Sequence, residues 1–333
     1  NTAIGHAALT TVTTGDDNTG IGFGALELNT AGCATALGKS SLQGNTTGEF
    51  NTAVGACSLN ANTTGEQNTA MGFKALQNNL EADNNTAFGL QALRNSTTGA
   101  SNTAVGHDSL KLNTSGSNNT SVGQISLGAN TTGSNNVAVG KCALCSNTEG
   151  AQNISMGTEA LSKNTTAENN VAVGHRALCA NITTSNNVAV GKEALRNNVQ
   201  NSNTAVGSLA SQGNTSGDCN VAIGFEALCA NQTGGGHTAV GAEALKTNTG
   251  VQNTAIGHRA LCSNSSGACN VALGRQALCS NTSANYNTAL GHSSMLKNTE
   301  GFSNTAVGLY SLACNTTGDA HVAIGYEALL NNT

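Results

Sequence analysis

Cys262 and Cys279 stand 17 residues apart, and so do Glu226 and Glu243. In a chain that repeats with that interval, each pair becomes a pair of neighbours. Two thiols so placed, with Cα atoms about 4.8 Å apart, can form a disulfide, and two carboxylates about 5 Å apart have the separation of a retaining glycosidase. The carboxylates have no aromatic wall or cleft implied beside them. Glu159, Glu193 and Glu327 recur at the same place in the repeat, which reads as solvated corner charge. The chain has eleven cysteines, an odd number, so at least one pairs outside the chain or stays free. Cys142 and Cys145 have the spacing of half a zinc site, but no second Cys-x-x-Cys or Cys-x-x-His completes it. His6, His107, His175, His258 and His292 share one corner position and do not cluster. We expect no enzyme, no metal and no cofactor.

Asn-x-Ser/Thr is the most frequent modification signal. It occurs at Asn45, Asn62, Asn113, Asn130, Asn164, Asn181, Asn214, Asn231, Asn264, Asn281 and Asn315, all at one repeat position, and at Asn95 and Asn331 one position earlier. Asn84, Asn118, Asn119 and Asn153 add four more. On the outside of a fold these are candidate N-glycosylation sites. The same position also holds Asn without the signal at Asn29, Asn79, Asn147 and Asn298, so the turn itself selects Asn.

The element that positions all of these is a repeat reading N-T-A-V-G-x-x-A-L-x-x-N-T-T-G-x-x. Twenty copies fill residues 1–333: sixteen have 17 residues, those beginning at Asn18, Asn187 and His237 have 16, and the last has 13. Numbering the slots from the first Asn, slot 5 is Gly in every copy, which points to a backbone conformation or a close approach that excludes a Cβ. Slots 1–4 read as a strand. Slot 2 is always Thr, Val or Ile, and slot 4 is aliphatic, Met or Phe. We expect these two to face inward together with Leu at slot 9, which opens a second short strand. Slot 3, mostly Ala, then points out on the opposite face. Apolar residues do not recur at helical intervals. The expected fold is all-β, a parallel β-solenoid or β-roll of about twenty 17-residue coils, forming one continuous array and a rod on the order of 95 Å long.

Composition narrows the function classes. Only 9% of residues are charged, the formal net charge is −5, and Lys and Arg are scattered singly, so no footprint for nucleic acid exists. Apolar runs of about four residues are far short of the roughly 20 that span a bilayer, so no membrane insertion is expected. Two or three apolar side chains per coil are few against the entropy of ordering 17 residues. Ladder hydrogen bonds and stacked Asn at slot 1 must add to them, and contacts between chains would add more. We expect copies of the chain to meet through the small residues of slot 3, with Ala53, Ala70 and Ala104 as contact candidates, in a trimer or filament. Asn1 opens at slot 1 and Thr333 stops in mid-coil without a polar cap, which leads us to expect a fragment of a longer fibre.

The phrases NTAVG, NVAIG and NVAVG followed by xxAL resemble the head repeats of trimeric autotransporter adhesins. With NTTG they are more similar to arrays in phage, viral and bacterial tail-fibre-like surface proteins. The resemblance implies a left-handed β-roll, often trimeric, located outside the cell or on a cell or virion surface. The eleven cysteines and the 17-residue period depart from the adhesin pattern. The expected function is a structural segment of a surface fibre. An adhesin or fibre head that binds host receptors or surface glycans is the alternative. A third reading is ice binding by the Thr rank of slot 2, which an inward placement of that rank opposes.

Overall fold

A computed structural model describes residues 1–332; Thr333, which completes the signal at Asn331 and the final partial coil, lies outside the described residues. The chain is a parallel β-solenoid with no helix among those residues. Each copy supplies one three-residue strand at slots 2–4. The chain divides into two compact units, Asn1–Asn169 and Asn170–Thr333. The first holds ten strands, from β1 (Thr2–Ile4) to β10 (Ile154–Met156), and the second ten more, from β11 (Val171–Val173) to β20 (Val322–Ile324). Within each unit, consecutive strands pair in parallel and in register, as Ala53 with Ala70 and Ala172 with Ala189. A 16-residue coil keeps that register: Val188 pairs with Thr204. Its missing residue is taken from the turn, where no strand is disturbed.

Leu at slot 9 faces inward as expected, but the strand faces are the reverse of the expected ones. Ala at slot 3, Ala or Ser at slot 8 and Leu at slot 9 are buried, whereas slots 2 and 4 look outward. The physical reason is thickness. At Gly20, a slot 3 residue, an added Cβ would lie 3.1 Å from Cγ of Leu9. With Leu filling the coil from the opposite side, only Ala, Ser or Gly fits at slot 3. The small-residue stripe is therefore a packing requirement inside one chain, and Ala53, Ala70 and Ala104, each fully buried, are core residues rather than contacts between copies.

The expected second strand is absent. The segment from slot 5 to slot 11 is a run of turns in which slots 7 and 9 adopt left-handed backbone angles, for example Cys57 at φ 56° and Leu59 at φ 47°. Such angles cost about 1–2 kcal/mol for an L-residue. They persist because each peptide is pinned between coils: Cys57 N–H donates to Lys39 O at 2.9 Å and Leu59 N–H to Ala75 O at 3.0 Å. Invariant Gly at slot 5 has a related cause. Gly55 has φ 125°, and a Cβ there would meet the carbonyl oxygen of Gly72 at 2.7 Å.

Two files of asparagine complete the interior. Slot 1 Asn passes its side-chain oxygen to the next coil, as Asn68 N–H donates to Asn51 Oδ1 at 2.9 Å, while its own Nδ2 donates to Ala82 O at 2.8 Å. Slot 12 Asn forms runs of an amide ladder: Asn62 Nδ2 donates to Asn45 Oδ1 at 2.7 Å and to Gly65 O at 2.9 Å. Pairing offsets the cost of burying these polar groups, except at Asn79, whose Oδ1 has no partner.

Candidate interaction face

Period-two alternation in each strand sends slots 2 and 4 to the same outward face. In the first unit slot 2 is Thr in the first eight strands, Thr2 to Thr120, and slot 4 runs Ile4, Ile21, Leu37, Val54, Met71, Phe88, Val105 and Val122. Val105 and Val122 are 37% and 36% exposed and Phe88 47%. In the second unit the same face alternates Thr and Val at slot 2 over Val, Ile and Leu at slot 4, with Ile223 and Leu273 exposed. No charged side chain occupies slots 1–5 in any copy. Ten strands about 4.8 Å apart and three residues long make a flat strip of about 10 Å by 45 Å in each unit, roughly 450 Å². That lies within the range of the largest patch on an ordinary monomer, and in the first unit nearly half of its residues are Thr.

The charged corners are occupied differently. Glu226 and Glu243 do stand together, but Lys246 Nζ lies 2.7 Å from Glu226 and 3.8 Å from Glu243, and Arg259 Nε lies 3.7 Å from Glu243. The hydrogen bond to Glu226 raises the pKa of the Lys246 ammonium. Both carboxylates are half-buried and each is engaged by a cation.

The expected glycosylation sites fare unevenly. Asn45, Asn62, Asn113, Asn130, Asn164, Asn181, Asn214, Asn231, Asn264, Asn281 and Asn315 are all fully buried. Their Nδ2 atoms hold the ladder, as in Asn130 to Asn113 Oδ1 at 2.8 Å and Asn315 to Asn298 Oδ1 at 2.7 Å. A sugar on that nitrogen would break the stack, so these residues are corrected from acceptors to structural amides. Asn95 is half-buried, because in its coil Ser96 takes slot 12, and Asn84 and Asn118 are exposed.

The cysteines are also rearranged. Cys142 and Cys145, at slots 7 and 10 of one coil, form a disulfide with Cα atoms 4.8 Å apart. Cys262 and Cys279 are brought together as expected, yet both are free thiols, with sulfurs 2.9 Å apart. Sequence reasoning missed His237, which replaces slot 1 Asn and is buried. Asn253 N–H donates to its Nδ1 at 3.1 Å, which leaves the ring proton on Nε2 facing Gly250 O at 2.9 Å. Its departure from Asn at a slot that is nearly always Asn was the available signal.

Among the described residues no helix is long and apolar enough to cross a membrane. No family model matches this chain and no curated protein does, so a functional reading stands on the geometry of the outward face.

Proposed function

We propose that the chain is a structural segment of an extracellular or surface fibre whose copies associate through the slot 2 and slot 4 face. The observation that carries the reading is that face itself: in-register rows of Thr, Val, Ile and Leu with every charge excluded to the corners. Water would leave such a strip when a second copy covers it, at roughly 25 cal/mol per Å² of apolar area. One unit offers about half of the roughly 800 Å² that each partner contributes to a standard interface, the size of a weak contact. The Cys142–Cys145 disulfide supports an oxidising location. Electron microscopy of native material tests the reading: elongated particles or bundles built from several chains support it, and dispersed single chains overturn it.

Ice binding is the second reading, and one observation favours it. The Thr rank looks outward rather than inward, unbroken through Thr2, Thr19, Thr35, Thr52, Thr69, Thr86, Thr103 and Thr120. Thermal hysteresis that vanishes in a Thr86→Lys, Thr103→Lys variant would select it; no hysteresis removes it. The adhesive-head reading has less support, because aromatics are only 3% of the chain, and of the aromatics at the slot 6 and slot 7 corner Phe23 and Phe73 stand three coils apart while only Tyr310 and Tyr326 fall in adjacent coils.

A further inference from the structure

In the second unit, two thiols and a guanidinium converge at the edge of two adjacent coils. Cys262 and Cys279 occupy slot 10 of consecutive coils, 6% and 8% exposed. Their sulfurs are 2.9 Å apart, and Cys262 Sγ also meets Ser263 Oγ at 3.7 Å. Arg259, at slot 7 of the Cys262 coil, brings its positive charge to Cys262 from the solvent side and lowers the pKa of that thiol. The other charges nearby are already engaged. Glu243 lies 3.7 Å from Arg259 Nε, and Lys246, the slot 10 neighbour of Cys262 in the preceding coil, lies 2.7 Å from Glu226. The slot 10 and slot 7 neighbours on the Cys279 side, Leu296 and Gln276, are neutral.

The two thiols are not equivalent. The hydrogen bond from Cys279, with Ser263 and Arg259 adding to it, lowers the Cys262 pKa to about 6 against the opposing effect of burial. The Cys279 thiol is pushed up, first by its hydrogen bond to Cys262 and then by burial. Near neutrality the pair shares one proton between the two sulfurs, with the shifts favouring the thiolate on Cys262. Cys229, at slot 10 but without an adjacent cysteine, has its pKa raised by burial.

We propose that Cys262 and Cys279 form a hydroperoxide-reactive dithiol in which Cys262 is the attacking sulfur and Cys279 the resolving one. The Cys262 thiolate attacks one oxygen of hydrogen peroxide. The O–O bond breaks, an S–O bond forms, and the departing hydroxide takes a proton from solvent to become water. Cys279 then attacks the sulfenic sulfur of Cys262, its thiol proton leaving with the expelled hydroxide as a second water. Two thiols have lost two electrons, one peroxide has gained them, and the product is a disulfide joining two coils. The backbone need not move, because stacked coils already hold the Cα atoms within disulfide range. The small exposed area of Cys262 selects a two-oxygen oxidant over a bulky peptide disulfide. This chemistry is independent of whether copies associate.

The test is hydrogen peroxide oxidation of the reduced full chain, followed by peptide mass mapping with dimedone as the sulfenic-acid trap. Ser162 already occupies slot 10, so serine variants keep the coil. We expect a Cys262–Cys279 disulfide in the parent chain, a dimedone adduct on Cys262 in Cys279→Ser, and none on Cys279 in Cys262→Ser. At pH 7 a group with the pKa of Cys262 is thiolate to an extent about thirtyfold greater than an ordinary thiol. Its oxidation rate should therefore level off above a midpoint near pH 6, and Arg259→Gln should move that midpoint upward. Glutathione disulfide should react more slowly than peroxide. A midpoint at or above pH 8, labelling of Cys262 no faster than Cys229, or oxidation without the inter-coil disulfide would overturn the proposal.

Discussion

Ser121 Oγ lies 2.6 Å from Ser126 Oγ, and Ser109 Oγ lies 2.8 Å from Ser121 Oγ. Slot 3 of the strand therefore touches slot 8 across the inside of a coil and between coils. A sheet face that meets a wall at hydrogen-bond distance has no room for branched side chains, and the alternation of the strand sends those to the other face. The apolar rows of slots 2 and 4 follow from this contact, and with them the case for association.

The slot 12 ladder lacks a rung at Ser96. Asn79 Oδ1 is buried with no hydrogen-bond partner, because the next coil carries Ser96 in place of Asn. Ser96→Asn should donate to Asn79 and accept from Asn113, stabilising the chain by about 1 kcal/mol for each bond restored. Urea midpoints of the two proteins decide it, and a lower midpoint for the Asn variant would show that the shorter side chain is required there.

The Leu file has a comparable gap. Ser211 sits between the fully buried Leu195 and Leu228, with its hydroxyl buried and unpartnered. Ser211→Leu should stabilise by about 1–3 kcal/mol. The reciprocal change Leu110→Ala should cost about 2–5 kcal/mol. Thermal melts of both variants against the parent check the pair, and equal small shifts in both would mean the file is not the core.

How much of this was legible in the sequence depended on what the repeat could report. Gly5 to Gly325 announced a backbone constraint and Val105 a period-two segment, whereas Leu110 suggested a second strand where the chain in fact turns. The coil count and register followed. The direction of the strand faces did not, because a row of Ala such as Ala53 and Ala70 has the same composition whether it lines a thin interior or a close contact between chains. Only the distance to the Leu wall distinguishes the two. Likewise Asn45 and Asn62 satisfy a glycosylation signal and an amide ladder with the same letters, and burial alone separates these uses.

His237 gives the second unit a pH response. Burial lowers its pKa, so the folded chain holds the neutral ring while the unfolded chain protonates near the ordinary value of about 6.5. The unfolded state then binds more protons as pH falls below that value. Stability is full above pH 6.5 and lost as pH falls through the lower folded pKa. His237→Asn, the usual residue of slot 1, should flatten that part of the curve. Melting temperatures between pH 7.5 and 5 measure it, and parallel curves for the two proteins would contradict the assignment.

In a secretory host that attaches N-linked sugar, Asn84, Asn95 and Asn118 should be the modified residues of the first unit, and Asn45, Asn62, Asn113 and Asn130 should be bare. Glycosidase treatment with peptide mass spectrometry reads this directly. Sugar on Asn62 in folded material would show that the amide ladder is dispensable at that rung.

Sedimentation equilibrium of the full chain beside a Val105→Asp, Val122→Asp variant tests the account most directly. Both positions are outward, so the variant should keep the circular dichroism spectrum and melting behaviour of the isolated coil. Two uncompensated charges on the shared face should abolish association, because burying either one unpaired is costly. The account predicts a parent mass that is a multiple of 33.1 kDa at about 10 µM and a monomeric, folded variant. A monomeric parent, or a variant that unfolds because those side chains lie in the core, would contradict it.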